Sequence, residues 1–186
     1  MKTYEEVENE VKKRLSEERF YHSKCVSQRC VELAQIYGEN IEEARLVGIA
    51  HDIAKEMPHE EKIQYCKDHE LDIDSVEFKS PGLLHPKVGA QIAKEEFGFN
   101  DKMCEAIANH TTGKEGMDML SKIVYISDFT SDDRPYEDKD YFLNLARENI
   151  EQAMLESYTK AIMIRIEEGK TIHLSTVKAR NEYLKK

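Results

Sequence analysis

Apolar residues recur at helical spacing through nearly the whole chain, and this period predicts an all-α fold, a single-domain helical bundle. Composition agrees: the 186 residues include only 8 Gly, 4 Pro and no Trp, too few turn formers for a β-sandwich. The length suits one domain with one real core, and 40% hydrophobic against 34% charged residues is the balance of a soluble globular protein.

Each element follows from the same period. Tyr4, Val7, Val11 and Leu15 form the first stripe, followed by the charged run 16–19. Val26, Cys30, Leu33, Ala34 and Tyr37 form the second, with Gly38 as its C-cap. Residues 42–55 make a third helix, stopped by Pro58, and 60–68 a short fourth. Residues 71–79 read as irregular or weakly helical. A helix over 86–97 opens on Pro86 and stops at Gly98. Asp101 caps a helix that runs through His110 and ends in Thr-Thr-Gly113. Residues 117–128 are apolar on one face, through Leu120, Ile123 and Val124. The segment 130–138 is the longest polar loop. Residues 139–168 predict one long amphipathic helix closing at Gly169, and Ser175 or Thr176 begins the last helix. The single domain spans 1–186, with a core of helices over about 15–135 and C-terminal helices 139–186 packed on it.

A net charge of −10 argues against a nucleic-acid binder or a protein that docks on anionic membranes, since either needs a basic face. No apolar run approaches membrane length, and Met1-Lys-Thr-Tyr-Glu-Glu-Val is charged from its start, so a cytoplasmic protein is expected. Cys25, Cys30, Cys66 and Cys104 lack Cys-x-x-Cys spacing and read as buried free thiols. The 139–168 helix suits packing internally or against a second copy, and a homodimer is expected.

The chemistry lies in six residues near helix ends: His22, His51, Asp52, His85, His110 and Asp128. His51-Asp52 closes the apolar stretch Ala44-Arg-Leu-Val-Gly-Ile-Ala-His-Asp-Ile-Ala-Lys55, where a buried carboxylate costs several kcal/mol unless a cation or donors satisfy it. Helix ends converging on one pocket are how bundles build metal sites. Four imidazoles and two carboxylates, with no thiolate, select iron, manganese, cobalt, nickel or zinc over a closed structural zinc site. Six donors exceed what one tetrahedral ion needs, so one metal ion, or two sharing Asp52, is expected. Such ions bring bound water to hydroxide near neutral pH and suit in-line attack on phosphorus. His59, His69 and His173 have no partner motif and read as ordinary surface or core residues.

These residues resemble the HD-domain metal-dependent phosphohydrolase superfamily, named for the pair matched by His51-Asp52. The resemblance is closer to its YqeK-type branch, the symmetrical bis(5'-nucleosyl)-tetraphosphatases that hydrolyse diadenosine tetraphosphate. It is carried by Arg19-Phe-Tyr-His22-Ser23, Gly48-Ile-Ala-His51-Asp52-Ile-Ala-Lys55 and Leu84-His85-Pro-Lys-Val-Gly-Ala90. Ala106-Ile-Ala-Asn-His110-Thr-Thr-Gly113, Lys122-Ile-Val-Tyr-Ile-Ser-Asp128 and the closing Arg180-Asn181 complete it. The resemblance implies a bundle of the HD-domain type in which His22, His51, Asp52 and Asp128 bind the principal metal, iron. His85 and His110 then hold a second metal or touch the phosphates.

Arg19, Lys55 and Arg134 are implied phosphate contacts, which gives an acidic protein a local positive pocket for an anionic substrate. Thr111, Thr112 and Gly113 offer main-chain N–H groups and hydroxyls to a phosphate oxygen, although a plain helix C-cap explains this turn almost equally well. Arg180 is placed near the nucleotide. The implied reaction is attack of metal-activated water on an inner phosphorus, giving two ADP, with Asp52, Lys55, His85 and His110 in the catalytic centre. The alternatives are another HD-domain nucleotidase or phosphodiesterase, or a nucleotide-sensing protein that keeps the fold without turnover; the last is expected to lose ligands, whereas all six are present here. Two departures from the branch stand out. Ser127 replaces its usual Ala, and Phe129-Thr-Ser-Asp-Asp133-Arg134-Pro135 replaces its Glu-Pro loop, which adds acidic charge beside the phosphate contacts.

Overall fold

The computed structural model describes residues 1–135 and 137–184, and among these described residues there are eleven α-helices and no strand. Helix α1 (Tyr4–Arg14) starts at a capping box between Thr3 and Glu6. Helix α2 (Glu17–Tyr37) is longer than its apolar stripe suggests. Ser16 accepts from the Arg19 amide, so the charged run 16–19 is the first turn of α2 and not a linker. Its acidic residues Glu17 and Glu18 suit a helix N-terminus. Arg19, His22 and Val26 therefore share one helical face.

Helix α3 (Ile41–Ala50) is capped by Asn40, and the chain continues in tight turns through Lys55, whose amide donates to the Asp52 carbonyl. Helix α4 (His59–Asp68) follows Pro58. Part of the segment read as irregular forms the short α5 (Ser75–Lys79), because Asp74 and Glu77 make a capping box. A 3-10 turn (Pro81–Leu84) leads directly into α6 (His85–Ile92), and one turn of π-helix (Ala93–Phe97) runs to Gly98. Helices α7 (Asp101–Asn109) and α8 (Met119–Phe129) follow. The cap of α7 is Asn100, not Asp101.

The predicted helix over 139–168 is two helices, α9 (Lys139–Glu148) and α10 (Ile150–Glu167). Asn149 breaks them with an extended backbone (φ −152°, ψ 96°), and its side chain caps the Gln152 amide. The Tyr37 hydroxyl occupies the break, donating to the Ala146 carbonyl (2.5 Å) and accepting from the Ile150 amide (2.9 Å). A tertiary partner thus overrides a continuous local period. Helix α10 packs internally through Ile150, Ala153, Met154 and Tyr158. Helix α11 (Leu174–Tyr183) is capped by His173 and begins one or two residues before the predicted start at Ser175 or Thr176.

The core lies where α2, α3, α7 and α8 meet, with Val26, Leu33, Val47, Ile49, Ile107, Leu120 and Ile123 fully or nearly fully buried. No described helix is long and apolar enough to cross a membrane. All four cysteines are free, and Cys25, Cys30 and Cys66 are buried while Cys104 is half-buried.

Candidate metal centre

Gly48 is where the centre begins. A Cβ there would lie 2.6 Å from the Cα of Ser27, so only glycine lets α3 approach α2 this closely. That approach brings His51 and Asp52, just past the end of α3, against His22 on α2. His85 opens α6, His110 follows the last residue of α7, and Asp128 sits in the last turn of α8. His22, His51, Asp52, His85 and His110 are each no more than 2% exposed.

All six converge. His22 Nε2 lies 3.0 Å from Asp128 Oδ1 and 4.0 Å from Asp52 Oδ2, and His51 Nε2 lies 3.5 Å from Asp52 Oδ2 and 3.9 Å from Asp128 Oδ1. On the other side of Asp52, its Oδ1 is 3.0 Å from His85 Nε2 and 3.3 Å from His110 Nε2, and these two imidazoles are 3.1 Å apart. Two triads have the geometry to hold an ion, His22–His51–Asp128 and His51–Asp52–His110. They share His51, while Asp52 touches both halves.

The arrangement of protons suits a cation. His51, His85 and His110 each donate Nδ1–H to the carbonyl three residues earlier, Gly48, Gly82 and Ile107, at 2.7–2.8 Å. A carbonyl only accepts, so in each neutral ring Nε2 is a bare lone pair pointing into the cluster. The lone pairs of His85 and His110 face one another and a carboxylate oxygen. His51 Nε2 and Asp52 Oδ1 are buried without a hydrogen-bond partner. Burial holds the His51 and His85 imidazoles well below their ordinary pKa and pushes His110 down to about 4, so these rings stay neutral. Neutral imidazoles and carboxylates aimed at one another fit a divalent metal ion of the borderline class. Cys30 adds no thiolate nearby, since burial pushes its thiol up to about 12.

Three cations ring the donors. Arg19 pairs with Asp52 Oδ2, and Arg134 donates to both the carboxylate and the carbonyl of Asp128. Lys55 Nζ lies 3.3 Å from His85 Nε2 and 3.7 Å from Asp52 Oδ1, and burial lowers its pKa to about 8. Burial opposes ionisation of Asp128, yet the Arg134 guanidinium beside it outweighs burial and holds the carboxyl well below its usual range.

A cavity of about 340 Å³ opens from this cluster. His110, Thr111, Thr112, Asp128 and Arg134 form its polar wall, and Tyr125, Phe129, Ile162 and Ile172 its apolar one. Thr111 Oγ1 reaches within 3.4 Å of His85 Nε2. Gly113 is different: its amide donates to the Asn109 carbonyl, so it closes the turn after α7. Its φ of +65° and the Tyr158 ring packed against its Cα exclude a side chain. Arg180 stands apart from the cluster, because its Nε donates to Thr159 Oγ1 beside a second cavity lined by Phe142, Met163 and Leu184.

Two residues of the site escaped sequence reasoning. His173, read as ordinary, lines the 340 Å³ cavity and faces Asp74 Oδ2 at 2.8 Å. Only the fold brings the turn before α11 to α5. Asp133 Oδ2 accepts from His22 Nδ1 at 2.8 Å, and its other oxygen accepts from Ser131 (2.7 Å). The sequence registered Asp133 only as added acidic charge.

Comparison with known proteins agrees with this geometry. A family model described as "HD domain" matches residues 19–164. The symmetrical bis(5'-nucleosyl)-tetraphosphatase of Bacillus subtilis is 29% identical over 89% of this chain and 89% of its own length. The enzyme of the same name from Halalkalibacterium halodurans is 29% identical over 94% and 93%. A crystal structure described as a predicted HD superfamily hydrolase involved in NAD metabolism, from Clostridium acetobutylicum, superposes with a TM-score of 0.96. It is 33% identical, and the match covers 100% of this chain and 98% of that one. With an HD-domain match over most of its length and a donor cluster centred on His51-Asp52, the chain belongs to the HD domain family.

Proposed function

We propose that this protein is a metal-dependent hydrolase of dinucleoside tetraphosphates that cleaves diadenosine tetraphosphate symmetrically into two ADP. The observation that carries the reading is the six-donor cluster set at the mouth of a nucleoside-sized cavity and ringed by Arg19, Lys55 and Arg134. The two curated tetraphosphatases named above support the choice of substrate. We place the enzyme in the cytoplasm, where a soluble nucleotide is met, and assign iron as its metal.

His22, His51, Asp52 and Asp128 would hold the principal ion, with His85 and His110 at a second position or on the phosphates. When bound, the metal supplies Lewis-acid polarisation of a phosphoryl oxygen and a water acidic enough to attack at neutral pH. The chain's own residues do the rest. Arg19 and Arg134 carry planar guanidinium forks suited to phosphate oxygens, and a bound tetraphosphate would share them with Asp52 and Asp128. Lys55, still charged at pH 7, faces the charge that develops on the departing ADP. Thr111 and Thr112 supply hydroxyls beside the bridge, and the apolar wall of Tyr125, Phe129, Ile162 and Ile172 covers one nucleoside and excludes water from it. In-line displacement at an inner phosphorus leaves ADP on both sides.

The test is product analysis with metal-loaded protein and diadenosine tetraphosphate. Two ADP as the sole products is the expected result. AMP plus ATP would overturn the symmetrical reading, and no turnover with any bound metal would overturn the hydrolase reading.

A further inference from the structure

His22 is held unlike the other three histidines of the cluster. His51, His85 and His110 are each oriented by a main-chain carbonyl of their own segment. His22 lies mid-helix in α2, where nearby carbonyls are spent on helical hydrogen bonds. Its Nδ1–H donates instead to a side chain 111 residues away, Asp133 Oδ2, at 2.8 Å. Ser131, fully buried, donates to Asp133 Oδ1 at 2.7 Å and lies 3.3 Å from His22 Nδ1, so both carboxylate oxygens are engaged and the carboxylate plane is set.

We propose that Asp133 is a positioning residue for the metal site: it fixes the His22 ring so that Nε2 faces the ion, and its negative charge makes that nitrogen a stronger donor. The proposal rests on the reading that the cluster holds a metal. A carboxylate behind a ligating imidazole fixes the tautomer and raises ligand basicity, and removing such a partner typically weakens metal binding about 10–100-fold. The neighbouring Arg134 already holds Asp128, so one short loop orders two of the three donors in the His22–His51–Asp128 triad. The segment 129–135, which stands where the resembled branch has its Glu-Pro loop, thus has a task inside the site through Asp133.

Zinc affinity, measured by competition with a chromogenic chelator, tests this. Asp133→Ala should bind zinc about 10–100-fold more weakly than the unaltered protein. Asp133→Asn, which keeps an acceptor of the same shape without the charge, should fall between them. Asp132→Ala serves as the control, because Asp132 instead pairs with Arg29 at 2.5 Å and is expected to bind within about twofold of the unaltered protein. In the zinc-loaded protein, the His22 Nδ1–H proton should resonate at low field and exchange slowly, and Asp133→Ala should lose that signal. Circular dichroism confirms that each variant is folded. Zinc affinity of either Asp133 variant within about twofold of the unaltered protein overturns the proposal, as does equal weakening by Asp132→Ala. If the unaltered protein takes up no zinc, the metal reading itself fails and this one with it.

Discussion

The two halves of the donor cluster are built differently. His51, His85 and His110 stand at the end of α3, at the start of α6 and just past α7, and each ring is anchored by a carbonyl three residues back. That half is made of local geometry, which any helix end can reproduce. The His22–Asp128 half depends on the loop after α8, where Asp133 and Ser131 anchor His22 and Arg134 anchors Asp128. The locally anchored half takes its ring orientations from its own segments. The loop-anchored half depends on side chains more than 100 residues from His22 along the chain, so a change in the loop reaches the site directly. Asp52 touches both.

The sharpest way to break this comparison is to remove the residue the halves share. Asp52→Ala should abolish turnover, by at least about 10³-fold, and lower bound metal in elemental analysis, since one triad loses a ligand, the other loses the carboxylate beside it, and Arg19 loses its partner. Retention of both metal and turnover would remove the cluster from the reaction.

Acid should loosen the locally anchored half in the metal-free protein. An unfolded imidazole takes up a proton near pH 6.5, whereas buried His110 resists until about 4. In that window the unfolded state binds more protons, so stability falls as pH falls. His110 alone contributes on the order of 3 kcal/mol by this route, and His51 and His85 act in the same direction. Urea midpoints that stay flat between pH 7 and 4.5 would refute it.

Gly48→Ala tests the contact that joins the halves. Its Cβ would press on the Ser27 backbone, so α2 and α3 must move apart, at a cost of about 1–3 kcal/mol. Thermal unfolding reads the loss, and metal affinity should fall with it because His22 and His51 separate. A variant destabilised yet unchanged in metal affinity would show that the two halves tolerate a shift. The smallest effect is expected at the loop: Arg134→Lys keeps charge but not the fork on Asp128, and should lower kcat/KM about tenfold without changing the melting temperature.

Much of this was legible in the residues, for identifiable reasons. Helix content follows from apolar period, and His51-Asp52 is conspicuous because a buried carboxylate at the end of an apolar helix needs a partner. The break at Asn149 was not legible, since the period runs through it and the interrupting hydroxyl belongs to Tyr37 on α2. The start of α2 was missed because its first turn is charged, although Ser16 followed by Glu17 and Glu18 is a readable start signal. His173 carries no local motif, and the donor that Asp133 supports lies 111 residues away.

By itself, then, the sequence determined the all-α class, most helix positions and the set of six convergent donors, because period and burial cost are local properties. Tertiary structure decided which donors pair. It gave Gly113 to a helix turn and placed Arg180 beside another cavity. It also brought Asp133 behind His22, because hydrogen-bond partners between elements are chosen by packing, and packing joins residues whose separation along the chain carries no signal.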